Sequence, residues 1–224
     1  MAEVKLTEAQ IKALVLGYLR RTGAINGRTV VANEFRLGHT SVRSDLALLS
    51  NSFIGVEIKS DLDSLRRLHN QVAAYSRHFE RFIVVAALRH ARSLDFSTIS
   101  QAEIWVVQKN GTIEPLTERE PKKNVNYKGL MTLKETRKFF DAPNMRSEGC
   151  VSERDGFAAA FTSRYGKTSE IFWDSVQGRK ITVSDLRNLS RFREAREKQE
   201  FAHQMKVKRN LQWSSAASQI LRVA

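Results

Sequence analysis

The 224-residue chain is 42% hydrophobic and 27% charged, a globular balance that permits a sizeable core. Its one cysteine excludes an intramolecular disulfide. It has no run of about 18 apolar residues and no signal-peptide segment, so we expect a cytoplasmic protein with no membrane contact. The formal net charge of +13 favours a polyanionic partner. Nucleic acid is the commonest such partner, and an anionic membrane surface is the weaker alternative.

Residues 7–21 predict the first helix, because apolar side chains recur at helical spacing. Thr7 and Gln10 fit a capping box at its start. Glu8 lies in the first turn, where the helix dipole alone favours a carboxylate. The alternative is that Glu8 reaches a metal site from this flanking helix.

Residues 28–37 predict a strand. Simple alternation places Glu34 on the face opposite Val31 and Phe35. Glu34 is therefore an acid at the edge of the sheet or one close to a metal site, and a direct role as a metal ligand is the alternative.

Residues 42–59 carry the strongest chemical signal and predict two strands joined by a tight turn. Side chains two residues apart on a strand share a face, so Glu57 and Lys59 project together. Gly55 is expected to leave open space beside them. Asp45 lies on the preceding strand.

The register of this hairpin decides whether Asp45 joins the same face. A three-residue turn over 50–52 places Leu49 opposite Phe53 and Asp45 opposite Glu57. A two-residue turn sends Asp45 to the other face, because a slip of one residue flips every side chain. We predict the three-residue turn, which is a common hairpin connection.

Two carboxylates beside an ammonium group suit a divalent-metal site, because Mg²⁺ prefers hard oxygen ligands. In that interpretation Asp45 and Glu57 hold the ion, and Lys59 holds or deprotonates the attacking water. The alternative is a surface Glu–Lys pair with an unrelated aspartate.

Residues 60–79 predict a helix capped by Ser60 or Asp61. Gln71 and Tyr75 are four residues apart and so share one face of that helix. This is either an ordinary half-buried face or one that reaches the site through Gln71, with Tyr75 behind it. Three nearby arginines are candidate phosphate contacts, with solvated charge as the alternative: Arg66, Arg67 and Arg77.

Residues 81–88 are an apolar run that predicts a buried strand, parallel to the one at 53–59. Residues 93–100 predict a short helix, and 103–108 with 112–116 predict a peripheral hairpin.

Residues 117–129 read as a linker, so we expect a core over 1–116 and a basic helical region over 117–224. The predicted helices of this region are 131–141, 152–165, 169–177 and 184–205. Four aromatic side chains are expected to form a small helical core: Phe157, Phe161, Phe172 and Trp173. The charged end of the last helix is either a solvated face or a contact for nucleic acid or protein, and Trp213 is expected to pack back on the body.

The order of helix, three strands, helix and strand resembles the PD-(D/E)XK nuclease superfamily. The residues that carry the resemblance are Asp45, the Glu57-Ile58-Lys59 triplet and the Gln71–Tyr75 pair, which resembles the motif of the RecB-like branch. The chain is also similar to small bacterial and phage proteins of largely unassigned function. Ser44 stands where many members have proline, and one cysteine is too few for the iron–sulfur cluster of some RecB-like members.

The resemblance implies a restriction-endonuclease-like αβββαβ core and Mg²⁺- or Mn²⁺-dependent hydrolysis of phosphodiesters. Asp45 and Glu57 would be ligands, Lys59 would act at the water, and Glu8 matches the first-helix acid of some members. DNA is the expected substrate, RNA remains open, and so does a homodimer. The alternative from a different class is a catalytically silent fold that binds nucleic acid or a protein partner through the C-terminal helices, as an adaptor or inhibitor.

Overall fold

The computed structural model describes residues 5–38, 40, 42–141, 152–190 and 205. Its contacts define two units, Met1–Leu189 and Ser190–Ala224, and every feature below belongs to the first. Most of the predicted helix 184–205 and Trp213 lie outside the described residues. Within the described part, no helix combines the length and the apolar character needed to cross a membrane.

The unit is a mixed α/β fold built on one sheet whose six strands follow the order of the chain. The strands are β1 (Val30–Arg36), β2 (Arg43–Leu49), β3 (Phe53–Lys59), β4 (Arg81–Ala87), β5 (Glu103–Val107) and β6 (Ile113–Pro115). The first three are antiparallel to one another, β3, β4 and β5 are parallel, and β6 returns antiparallel to β5. The parallel β3–β4 crossover and the β5–β6 hairpin are confirmed.

The α-helices are α1 (Glu8–Arg21), α2 (Leu68–Tyr75), α3 (Leu133–Thr136) and α4 (Glu153–Ser175). Short 3-10 turns cover Leu88–Ser93, Lys128–Leu130 and Val183–Leu189, and a π-helical turn covers Arg137–Asp141. Helix α1 begins with the predicted capping box.

The predicted helix over 60–79 is wrong in its first half, because α2 begins only at Leu68. The Asp63 carboxylate accepts hydrogen bonds from the Ser60 backbone N–H at 2.8 Å and from its hydroxyl at 2.5 Å. Such local bonds compete with helix formation. Asp61 does not cap the helix either, since its Oδ2 accepts from the Leu6 N–H at 2.8 Å.

The predicted helix over 93–100 is also wrong. A 3-10 helix occupies Leu88–Ser93 directly after β4, and turns follow it. The Asp95 carboxylate accepts from the N–H and the hydroxyl of Ser97, which again satisfies the backbone locally instead of in a helix.

Helix α4 is continuous where two helices were expected, and it belongs to the body that carries the sheet. The Ser169 hydroxyl accepts from the Val31 N–H at 2.8 Å, and Trp173 Nε1 donates to the Thr29 carbonyl at 2.7 Å. The helix therefore satisfies backbone groups of β1 and of the residue before it, and β1 is one of the two edge strands of the sheet.

Apolar side chains form one core on each face of the sheet. Phe157 and Phe161 of α4 join the core that also contains residues of α2, whereas Phe172 and Trp173 join the core beneath α1. The expectation of a separate helical core from these four aromatics is therefore wrong, because α4 contributes to both faces.

Candidate active site

The hairpin of β2 and β3 has the predicted register. Leu49 pairs with Phe53, and the ladder continues to Leu46 opposite Val56. The next positions on the two strands are Asp45 and Glu57. The ladder ends before them, and Asp45 Oδ2 instead accepts a hydrogen bond from the Ile58 N–H at 2.6 Å. The hairpin thus brings the aspartate to the strand that carries the E-x-K triplet.

The Glu57 carboxylate is the centre of a buried hydrogen-bond network. Its Oε1 accepts from Lys59 Nζ at 2.8 Å and from Gln71 Nε2 at 2.6 Å. Its Oε2 accepts from the Tyr75 hydroxyl at 2.7 Å. Lys59 Nζ also donates to Gln71 Oε1 at 2.9 Å, which closes a triangle of three side chains. The structure therefore brings together four of the predicted site residues, from β3 and α2.

The Tyr75 hydroxyl lies between Glu57 and the backbone carbonyl of Arg43 on β2. Burial raises the pKa of Tyr75 well above its usual range, and the negative charge of Glu57 adds to the effect. The phenol thus stays protonated and keeps a proton to donate to one of these two acceptors.

The environment of Asp45 opposes its negative charge. Burial, followed by the nearby charge of Glu57, raises the pKa of this carboxyl to about 8, although Lys12 and the Ile58 N–H act in the opposite direction. A carboxyl whose negative charge is opposed in this way is stabilised as a carboxylate when a cation binds beside it.

A second group of acids meets Asp45 from the side of α1. One carboxylate oxygen from each of Glu8, Glu34 and Asp45 lies within 4.8 Å of the others. Lys12 lies among them and donates to Glu8 Oε1 at 2.7 Å, to Glu34 Oε1 and to Asn33 Oδ1 at 3.0 Å. Glu8, expected as a metal ligand, is thus next to Asp45 but paired with a lysine.

Glu34 reaches this cluster through an irregular backbone. Its φ of 58° is in the left-handed region, which a non-glycine residue seldom adopts. Val31 and Phe35 pack in opposite cores, so the simple alternation expected across Glu34 is wrong. The distortion at Glu34 is the physical reason, because it changes the phase of the strand.

The carboxylates of Asp45 and Glu57 are of the kind that a hard divalent ion such as Mg²⁺ or Mn²⁺ prefers, and one oxygen of the partly exposed Asp45 also lies within 4.8 Å of an oxygen of Glu8 and of Glu34. Glu57 and Lys59 are 3% and 6% exposed, whereas the side chains of Glu8 and Glu34 are 44% and 46% exposed. Solvent therefore reaches the site from the side of Glu8 and Glu34.

Gly55 does not leave the open space that the sequence suggested. A Cβ at this position would lie 2.4 Å from the Phe79 ring, so the aromatic side chain fills the volume beside Glu57. Sequence spacing alone gave no sign of this, because Phe79 follows α2 and lies 24 residues further on.

The three predicted phosphate contacts are exposed. Arg66 and Arg67 precede α2, and Arg77 follows it. Arg77 lines a separate cleft of about 960 Å³ together with Lys122, Lys123 and Arg154.

Sequence reasoning missed Lys12 and Asn33. A signal for Lys12 was available, since a glutamate followed four residues later by a lysine is a common helix pair. The contacts with Asn33 and Glu34 have no local signature, because they join α1 to a strand more than 20 residues away.

Comparison with known proteins gives a phage family. Residues 1–190 match the family described as bacteriophage P4 protein cII. Protein cII of Enterobacteria phage P4 is 31% identical over 112 residues, which make up 50% of this chain and 42% of that protein. The chain thus matches less than half the length of this relative.

Among solved structures, the SPO1766 protein of unknown function from Silicibacter pomeroyi is similar, with 14% identity and a TM-score of 0.41. The match covers 66% of this chain and 100% of that one. A similarity this weak carries no argument about fold or function.

Proposed function

The chain belongs to the bacteriophage P4 protein cII family, and for this member we propose a divalent-metal-dependent nuclease that hydrolyses phosphodiester bonds of DNA. The observation that carries the proposal is the convergence of Asp45 with the Glu57–Lys59–Gln71 triangle at one end of β2 and β3. Carboxylates can hold a divalent ion, and such an ion together with the Lys59 ammonium group would stabilise the negative charge that develops in phosphodiester hydrolysis.

The order of elements supports a restriction-endonuclease-like core. Helix α1, the antiparallel strands β1, β2 and β3, helix α2 and the parallel strand β4 follow the αβββαβ order of that core. The Gln71–Tyr75 pair contacts Glu57, as expected if the RecB-like motif supports the acidic site. The order of elements supports the nuclease proposal independently of the acidic residues.

In this proposal Asp45 and Glu57 hold the ion, which would stabilise charge on the phosphate and lower the pKa of a bound water. Lys59 spends two of its three N–H groups on Glu57 and Gln71, so its third is left to orient the attacking water or a phosphate oxygen. Because Lys59 Nζ already donates to Glu57 and to Gln71, we assign Lys59 as a donor and not as a base. The water oxygen would form the new P–O bond and lose its proton to solvent, while one ester P–O bond breaks and the leaving oxygen takes a proton from solvent.

A basic cleft of about 670 Å³ offers a route for the nucleic acid strand. Its cations are Lys5, Arg89, Arg92 and Lys109, and its one acid is Asp61. The Asp61 carboxylate is bonded to the Leu6 N–H, so the cleft presents mainly positive charge to solvent. Such a surface suits a polyphosphate backbone.

Two further clefts in the described part of the chain are also basic, so charge alone does not select this one. Its wall does. Leu6 and Asp61 line the cleft and are joined by two hydrogen bonds. Glu8 follows Leu6 by two residues, and Lys59 precedes Asp61 by two. Two residues of the cleft wall are therefore close along the chain to residues of the acidic site.

The decisive experiment is incubation of the full chain with labelled single-stranded, duplex and branched DNA, and with RNA of the same sequence, in Mg²⁺ or Mn²⁺. Asp45→Asn and Lys59→Met are run beside it, with Lys128→Met as the control, because Lys128 is exposed and contacts Glu153 and the Phe140 ring, neither of which belongs to the acidic site. We expect cutting by the wild type and the control alone. Equal cutting by all four proteins would indicate a contaminant and remove the proposal.

One observation favours a second candidate, a silent fold that binds DNA without cutting it. Both oxygens of Glu57 already accept hydrogen bonds, and the acids on the side of α1 already surround Lys12. A network so complete without an ion is also what a binding module would have. Tight, salt-sensitive DNA binding with no cutting under any metal condition would select this candidate.

A further inference from the structure

Lys12 is a buried lysine whose bonding capacity is fully used. Its side chain is 5% exposed, although the two glutamates it contacts are about half exposed. An ammonium group has three N–H donors. Here Glu8, Glu34 and Asn33 supply one acceptor each, so all three donors are satisfied by side chains from α1 and β1.

The position of this ammonium group is that of a cation among carboxylates. Lys12 Nζ contacts Glu8 Oε1 and Glu34 Oε1 directly. One carboxylate oxygen of Asp45 lies within 4.8 Å of one carboxylate oxygen of Glu8 and one of Glu34. Three carboxylates this close repel one another unless a positive charge stands between them. Burial lowers the pKa of Lys12, but hydrogen bonds to Glu34 and Glu8 outweigh it, and the net shift is upward.

The same geometry bears on how many divalent ions the site takes. In two-metal nuclease sites the two ions lie about 3.5–4 Å apart. Asp45 lies between the Glu57 network and the cluster of Glu8 and Glu34. Of the two places beside this aspartate, the one toward α1 is already taken by an ammonium group.

We propose that Lys12 is a protein-supplied cation that fills the position of a second divalent ion, so that the chain binds one ion, at Asp45 and Glu57. Glu8 and Glu34 then serve as partners of Lys12 and not as metal ligands. The proposal rests on the nuclease function for the identity of the first ion. The geometry of Lys12 stands without it.

The test is a titration of the full metal-free chain with Mn²⁺. Binding is measured by calorimetry and by the loss of the free-ion signal in electron paramagnetic resonance. The wild type is expected to bind about one ion per chain, and Lys12→Met and Lys12→Gln about two. Adding Glu34→Gln to Lys12→Met should return the count to about one. Lys128→Met, which removes an exposed lysine, should leave the count unchanged.

Two ions bound by the wild type would overturn the proposal, even if both lysine variants failed to fold. One ion bound by a folded Lys12→Gln variant would overturn it as well. Failure of the proposed nuclease function would give a different set of results from failure of the Lys12 proposal. It would appear as no cutting and no ion in the wild type, whereas an ion gained only by the Lys12 variants and lost again with Glu34→Gln would still support the role of Lys12.

Discussion

The Tyr75 hydroxyl lies 2.7 Å from Glu57 Oε2, and this contact joins the end of α2 to the strand that carries the E-x-K triplet. Both groups are buried, so the carboxylate depends on protein donors in place of water. The helix thus holds the acid in one orientation while Asp45 approaches it from β2.

Tyr75→Phe removes this donor and keeps the ring. Because a buried carboxylate oxygen then loses a partner, we expect the free energy of unfolding to fall by about 1–3 kcal/mol. DNA cutting should fall as well, since Glu57 is no longer held. Urea unfolding measures the first effect. Tyr18→Phe is the control, because Tyr18 packs edge-on against Trp105 through its ring. Equal losses in the two variants would contradict a specific role for the Tyr75 hydroxyl.

Gly55→Ala tests the packing beneath the site. The new Cβ would lie 2.4 Å from the Phe79 ring, so the ring must move within a filled core. We expect a loss of stability of about 1–3 kcal/mol, measured by thermal or urea unfolding. Gly27→Ala is the matched control, since nothing lies within 4 Å of its Cβ position. An unchanged midpoint for Gly55→Ala would show that the ring leaves more space than the structure indicates.

Glu80 links the sheet to the region after residue 117. Its carboxylate accepts from the Phe53 N–H at 3.1 Å, from the Tyr127 hydroxyl and from Arg154 Nε at 2.7 Å. Glu80→Gln weakens three bonds to a buried charged acceptor, so we expect a loss of about 1–3 kcal/mol in urea unfolding.

The control for Glu80 is Glu153→Gln, because Glu153 pairs with Lys128 at 2.9 Å in an exposed position. Exposed pairs contribute less than about 1 kcal/mol. A loss for Glu153→Gln as large as that for Glu80→Gln would contradict the difference in burial.

Asp45 predicts how the metal-free protein responds to pH. Its pKa is about 8 in the folded protein, against about 3.9 in an unfolded chain. The folded state therefore binds more protons between these values, and the stability that Asp45 contributes is lost as pH rises toward 8. Urea unfolding in EDTA from about pH 5 to about pH 8 should show the decline, and Asp45→Asn should flatten it. The same slope in both proteins would assign the effect to other groups.

The cleft beside the site predicts the salt dependence of DNA binding. Arg89→Glu with Arg92→Glu should weaken binding and reduce the slope of log affinity against log salt by roughly 2, if each arginine contacts one phosphate. Fluorescence anisotropy in EDTA measures this without cutting. The control is Arg77→Glu with Lys123→Glu, which makes the same change of charge in the separate cleft of about 960 Å³. An equal loss from both pairs would show that binding follows net charge and not this cleft.

The sequence by itself determined the hairpin register and the pairing of Glu57 with Lys59. Both are local: turn length sets the register, and the two-residue period of a strand sets the face. The sequence also placed Gln71 and Tyr75 on one helical face, because the helical repeat is regular.

Only the tertiary structure decided that Lys12 lies among Glu8, Glu34 and Asp45, that Phe79 fills the space at Gly55, and that α4 contributes to both cores. These contacts join residues that are far apart in the chain. They depend on how elements pack and on one irregular backbone angle at Glu34, and no repeat along the sequence encodes either of these.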